Sequence, residues 1–376
     1  MSRPSTLPRR DLWLLPLISL MTVVVTLGAA EILARVFWPE QPNDSCAVPD
    51  PDLGYRTKPN CSSVMKAAEG PWYTNQYNEC GYRSPQSCGP VPAGTRRIAL
   101  MGSSVAEGLH VPYEDTIGGR LADDLTRQCQ TTVEVQNLGS AAYLGTRLIG
   151  RMKEALALNP DAVLLLVTPW DIETELSVEP PKIARQAEPA GFGGRQKQIS
   201  VLLQQSRAVT IMEHFLFRNR AFYVPAYLHY GDKADYLRPP FTPAWRARLR
   251  KYDELIGQLT DMARAAGVPL MLSFVPAPAT MVMMTEPQPP PGIDPYAFIR
   301  AISDIAEHHG AAFVDTSPAL REHGQPERLY YQVDGHLSGL GQPIAAQSIA
   351  AGLMTDSFPA FADCRANKPW HMDAAR

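Results

Sequence analysis

Residues 96–111 read RRIALMGSSVAEGLHV, an apolar run that stops at Gly-Ser-Ser and passes into small residues. The run is continuous rather than alternating, as in a strand covered on both faces of a parallel sheet. Four more runs share this character: TVEVQNLG (132–139), AVLLLVTP (162–169), PLMLSFVP (269–276) and AAFVDTS (311–317). Helical periodicity fills the gaps. Ile117, Leu121 and Leu125 lie on one stripe, and Leu148, Met152 and Leu156 on another. The clearest helix is PAWRARLRKYDELIGQLTDMARAAG (243–267), with Trp245, Leu249, Tyr252, Ile256, Leu259 and Ala263 on one face. Thr242 supplies its N-cap, Pro243 its first turn and Gly267 its end. Another helix runs from Asp294-Pro295 to Gly310 with Phe298, Ile302 and Ile305 inward. Strand and helix in alternation predict a doubly wound α/β sheet with five parallel strands.

Residues 172–241 interrupt this rhythm after the third strand. An insertion there leaves the carboxyl edge of the sheet, where α/β proteins place their sites. It reads either as a lid or substrate-recognition element, or as an extra packed helical layer.

The 376 residues, 45% of them hydrophobic, support one sizeable core plus insertions. A net charge of −3 gives no reason to expect nucleic acid as a partner. The stretch LWLLPLISLMTVVVTLGAA (12–30) carries no charge and reaches roughly 28 Å as a helix, about the thickness of a hydrocarbon core. Arg3, Arg9 and Arg10 precede it. The positive-inside rule therefore predicts a cytoplasmic segment 1–11 and a single pass through the inner membrane, with the body outside the cytoplasm. Gly28-Ala29-Ala30 also fits a cleavage site. The length of the run, and the helical pattern that continues through EILARVFW, favour an uncleaved anchor.

All six cysteines lie beyond this span, at 46, 61, 80, 88, 129 and 364. In an oxidising compartment an even count predicts up to three disulfides, with 15 possible pairings. Four of them fall in a Pro/Asn/Ser-rich leader segment (31–95), expected to be stapled rather than packed, and Cys364 can tether the tail (358–376). No CxxC pair and no nearby histidine accompany them, so no metal site is expected, and no cofactor motif is present.

The Gly-Ser-Ser loop lacks GxSxG, GxxxxGK[ST] and GxGxxG, which excludes a nucleophile elbow, a Walker loop and a dinucleotide fingerprint. By itself, Gly-Ser at a strand end is a turn or helix cap. Three later elements change this reading. Gly139 sits at the exit of the second strand, Asp171 just past the third, and Asp334-Gly335-His336 form a loop after the fifth. A serine nucleophile needs a base, and the base needs an orienting carboxylate. The other seven histidines have no comparable context.

In these blocks the chain resembles the SGNH/GDSL hydrolase superfamily over roughly residues 50–355, including leader phrases DPDLGYRTKPN (50–60) and YTNQYNECGYRS (73–84) like those of membrane-anchored bacterial members. The resemblance implies a three-layer α/β/α sandwich, a flavodoxin-like SGNH fold over 96–357. It also implies that Gly102-Ser103-Ser104 stands for the family's Gly-Asp-Ser, making Ser104 the nucleophile. His336 would then be the base, Asp334 its partner, and the backbone N–H groups of Ser104 and Gly139 the oxyanion donors. The third block departs from the family's Gly-x-Asn-Asp, reading Thr168-Pro169-Trp170-Asp171. Trp170 replaces the asparagine donor, a loss worth about 10²–10³ in rate unless its indole N–H substitutes. The implied activity is a serine esterase acting on acyl or acetyl groups of a glycan or lipid. Alternatives are an O-acyltransferase working with a membrane acyltransferase, or a non-catalytic envelope protein.

Overall fold

The computed structural model describes residues 10–141, 143–175, 206–229 and 231–366. The chain begins with α1 (Asp11–Phe37), a 27-residue helix long and apolar enough to cross a membrane. It continues two turns past the apolar window, as the EILARVFW pattern implies. Two antiparallel hairpins follow: β1 (Ala47–Asp50) with β2 (Gly54–Thr57), and β3 (Ser62–Lys66) with β4 (Trp72–Gln76).

The main body then alternates as its apolar runs predict. It comprises β5 (Arg96–Met101), α2 (Ser104–Glu107), α3 (Ile117–Cys129), β6 (Val133–Asn137), α4 (Arg147–Ala157), β7 (Ala162–Val167) and α5 (Pro169–Glu175). Within the insertion lie α6 (Arg207–Leu216) and α7 (Arg220–Leu228). The body resumes with α8 (Pro243–Ala265), β8 (Leu270–Phe274), α9 (Pro278–Thr285), α10 (Ala297–His309) and β9 (Ala312–Asp315). It closes with α11 (Ser317–Glu322), α12 (Gly341–Leu353) and α13 (Pro359–Ala362).

Five parallel strands form one sheet in the order β6-β5-β7-β8-β9. Ile98 stands opposite Val135 on one side and Ala162 on the other, and Ile98, Ala99, Leu100 and Met101 are fully buried. The continuous apolarity of this run follows from helices on both faces. Helices α3 and α12 pack together on one side, while α4, α8 and α10 cover the other, giving three layers. On α8, Trp245, Tyr252, Ile256, Leu259 and Ala263 all face the core, and Thr242 caps its first turn.

The leader departs from expectation. It is stapled by Cys46–Cys61 and Cys80–Cys88, yet it is also packed, burying Leu53, Met65, Tyr73, Tyr77 and Tyr82. Its buried Arg83 donates to the carbonyls of Glu107 (2.8 Å), Gly108 (2.7 Å) and Val111 (2.6 Å). One guanidinium thus satisfies the carbonyls that the end of α2 leaves open. Low periodicity hid this, because hairpins of four or five residues are too short to show a pattern. The third disulfide, Cys129–Cys364, ties the tail to α3.

Candidate active site

Strand β5 is where the strand order reverses, with β6 on one side and β7 on the other, the position at which doubly wound sheets open a crevice. Past Met101, Gly102 adopts φ +139°, and a Cβ there would lie 2.9 Å from Ala106 Cβ and 3.0 Å from the Leu166 carbonyl oxygen. Only glycine allows so close a turn. Ser104 then opens α2, a single turn ended by Gly108 at φ 77°.

The loop between α11 and α12 brings the other two members. His336 Nε2 lies 2.7 Å from Ser104 Oγ, and His336 Nδ1 lies 2.6 Å from Asp334 Oδ1. The His336 backbone N–H also donates to Asp334 Oδ1, at 3.1 Å. An ionised carboxylate only accepts, so His336 presents Nδ1–H to Asp334 and its Nε2 lone pair to the serine hydroxyl. Gly335, between them, has φ +90°, and its Cα packs on the Trp170 ring, where a Cβ would come 2.9 Å from Cη2.

Electrostatics favour this arrangement. Burial pulls the His336 imidazolium down, but the charge and hydrogen bond of Asp334, aided by Glu107 and Asp171, more than offset it, so the ring titrates above its usual value. Burial opposes the Asp334 charge, yet His336 and His110 hold that carboxyl well below the usual range.

Two residues outside the sequence blocks join the site. His110 Nε2 lies 3.1 Å from Asp334 Oδ2, the oxygen His336 leaves open. The buried Glu69 of the leader accepts from the N–H groups of Gln332 (3.1 Å), Val333 (2.9 Å) and Asp334 (3.0 Å), and pairs with His214 Nδ1 at 2.5 Å. Neither carries a sequence signal. His110 comes six residues after Ser104 in the same strand-exit segment, the one available hint. His110, Asp334 and His336 lie close enough together to resemble a metal set. Both rings face the carboxylate as N–H donors, however, and His336 offers its remaining nitrogen to Ser104.

One sequence expectation is corrected, and Asp171, which the sequence left without a role, is placed. Gly139 does not offer its N–H toward Ser104: that N–H donates to Asn137 Oδ1 at 2.9 Å. Asn137 closes a local turn on itself, a strong preference of that residue. Gly139 is required instead for close packing, since a Cβ would fall 2.5 Å from the Glu107 nitrogen. Burial pushes the Asp171 carboxyl up, and it accepts from the Ser103 hydroxyl, from the Thr168 N–H (2.7 Å) and from the Thr168 hydroxyl (3.0 Å). Ser103 in place of aspartate thus donates to Asp171, where a second carboxylate would repel it. Trp170 sits beside the site with its ring centroid 6.0 Å from that of His336 and its six-membered edge against Gly335.

Two cavities flank the loop. One of about 230 Å³ is lined by Trp170, Phe217, Tyr223, Tyr227, Pro278 and Gly335. The other, about 530 Å³, lies between Arg35, Glu40 and Arg207 on one side and His110, Glu69 and Asp334 on the other.

No curated protein matches the chain by sequence. Among solved structures it is similar to a lipase/acylhydrolase from Enterococcus faecalis, at 14% identity and TM-score 0.39, covering 73% of this chain and 99% of that one. It is also similar to an acetylxylan esterase from Geobacillus stearothermophilus, at 13% identity and TM-score 0.40, covering 70% and 95%. The GDSL-like lipase/acylhydrolase family model matches residues 100–344, from the end of β5 into α12. Nearly two thirds of the sequence, including the serine turn and the Asp-Gly-His loop, therefore places this chain in the GDSL-like lipase/acylhydrolase family.

Proposed function

We propose that the chain is a membrane-anchored, extracytoplasmic serine esterase that attacks ester-linked acyl or acetyl groups of a glycan or lipid. The observation that carries this reading is the line Ser104 Oγ, His336 Nε2, His336 Nδ1, Asp334 Oδ1, with contacts of 2.7 and 2.6 Å. Ser104 Oγ bonds to the ester carbonyl carbon while its proton passes to His336 Nε2, and the carbonyl electron pair moves onto oxygen. Asp334 stabilises the resulting imidazolium. His336 then protonates the departing alcohol as the C–O bond breaks, and water releases the acyl group by the same steps in reverse order. The N–H of Ser104, at the first turn of α2, is the oxyanion donor left by the Gly139 assignment.

Transfer of the acyl group to an envelope polysaccharide is the second reading. The replacement of the asparagine donor by Trp170 favours it, because a weakened oxyanion site slows hydrolysis and leaves the acyl-enzyme to a bound acceptor. Fluorophosphonate labelling of the full-length protein in detergent tests the common step, with Ser104→Ala and His336→Ala alongside. Labelling that persists in Ser104→Ala sinks both readings. Turnover of p-nitrophenyl acetate with and without a glycan acceptor separates hydrolysis from transfer. An alkaline-phosphatase fusion after residue 40 is expected to be active, which tests the topology.

A further inference from the structure

The insertion helix α6 is built inside out for a helix on a water-soluble surface. Its inward face carries His214, which pairs with Glu69 at 2.5 Å, and the buried Arg207, which pairs with Glu40. Its outward face carries Met212 (53% exposed), Phe215 (55%) and Leu216 (38%). A helix whose polar groups face the protein and whose apolar groups face outward fits an apolar surrounding, not water.

That surrounding is identified by the neighbour of α6. The Glu31 carboxylate of α1 caps the start of α6, accepting from the Ser206 hydroxyl (2.8 Å) and from the N–H groups of Arg207 (3.0 Å) and Ala208 (3.0 Å). Seven residues on, at the C-cap of α1, Trp38 meets the His214 and Phe215 rings at 5.5 and 6.3 Å. The two helices thus run side by side in the same direction, over the part of α1 that begins where the uncharged span ends. Ile32, Leu33, Val36 and Phe37 of α1 stay exposed along this part and continue the apolar surface.

The same contacts link α6 to the site. From Arg207 to His214 α6 rises about 10 Å, and Glu69 links His214 to the backbone of residues 332–334.

We propose that the apolar face of α6 is seated in the phospholipid bilayer beside α1, and that the Ser104 site therefore takes an ester carried by a membrane-resident molecule. The second half rests on the esterase reading; the first does not. The anchor is then part of the site's architecture, because side-chain contacts run from Glu31 through α6 and Glu69 to Asp334. The cavity between Arg35 and Asp334 opens along this path.

The full-length protein in phosphatidylcholine–phosphatidylglycerol vesicles tests both halves. All six cysteines are in disulfides, so Met212→Cys accepts a single environment-sensitive fluorophore. Asp356→Cys is the control, near Arg365 and the Cys129–Cys364 bridge at the opposite edge of the sheet. Lipids bearing a nitroxide high on the acyl chain are expected to quench the label at 212 at least threefold more than at 356. Equal quenching overturns the seat, and leaves a protein partner as the occupant. In the second arm, Met212→Glu/Leu216→Glu is expected to lower the ratio of vesicle-borne to soluble ester turnover at least tenfold. An unchanged ratio overturns the substrate assignment. If neither ester shows Ser104-dependent turnover, the esterase reading fails and the substrate half with it, while quenching still decides the seat.

Discussion

His110 Nε2 approaches Asp334 Oδ2 at 3.1 Å, on the carboxylate oxygen opposite the one that His336 uses. The two rings meet edge to face, with centroids 5.2 Å apart. Asp334 is thereby fixed in rotation by a donor on each oxygen. The His110 backbone is itself held, accepting from the Tyr331 hydroxyl at 2.9 Å and donating to the Tyr73 hydroxyl at 3.2 Å. His110 is a positioning residue in this arrangement. A hydrogen bond to a charged group is worth roughly 1.5–3 kcal/mol, so His110→Ala is expected to lower kcat at least tenfold with KM little changed. His110→Gln, which keeps a side-chain N–H, is expected to recover part of the loss. Steady-state kinetics on p-nitrophenyl acetate reads both.

The pH profile follows from His336. Its ring titrates above 6.5 in the folded protein, and the base must be neutral. Activity is therefore expected to fall as pH drops, with the midpoint of the acidic limb above 6.5. Stability runs the other way for this group: the contribution of the protonated ring is complete below its unfolded value and is lost as pH rises through the folded one. Asp334, depressed below 3.8, contributes above that value and loses its contribution as pH falls through its folded one. Asp334→Asn removes the charge that raises His336. The limb should then move below its wild-type position and kcat should fall by about 10⁴.

Gly335 is where backbone and site meet. Its φ of +90° disfavours any side chain, and Trp170 Cη2 occupies the space a Cβ would need, at 2.9 Å. The left-handed conformation alone costs an L-residue about 1–2 kcal/mol. Gly335→Ala is expected to lower kcat at least tenfold and to lower Tm. Adding Trp170→Ala should relieve the contact but not the backbone strain, so recovery should be partial.

Glu69 accepts three backbone N–H groups of the loop that carries Asp334. A hydrogen bond to a charged group is worth roughly 1.5–3 kcal/mol, and these donors are only partly shielded from water. Glu69→Ala is expected to destabilise the protein by about 2 kcal/mol, read by denaturant unfolding in detergent. Glu69→Gln, which keeps one acceptor oxygen, should lose less.

Cys129–Cys364 closes a loop of 235 residues. On the chain-entropy account such a closure contributes about 5 kcal/mol. Cys364→Ser should show most of that as a lowered unfolding midpoint, with p-nitrophenyl acetate turnover at 25 °C changed far less.

Sequence alone determined the five strands, because the central ones, β5, β7 and β8, are covered on both faces and read as near-continuous apolar runs that stand out in any window. The resemblance to the SGNH/GDSL superfamily grouped Ser104 with Asp334 and His336, which strand periodicity alone does not do, because the Asp-Gly-His loop follows α11 rather than a strand. The places of Gly139 and Asp171 were decided only by the folded structure, which shows where their hydrogen bonds go: to Asn137 for the first, and to Thr168 and Ser103 for the second. His110 and Glu69 were illegible because their contacts are long-range. Their partners are 224 and 263 to 265 residues away, and no local pattern records a contact that forms when the last loop folds onto the leader. The seat of α6 against α1 is likewise a tertiary fact. A short amphipathic helix shows in sequence that it has two faces, but not which of them the protein covers.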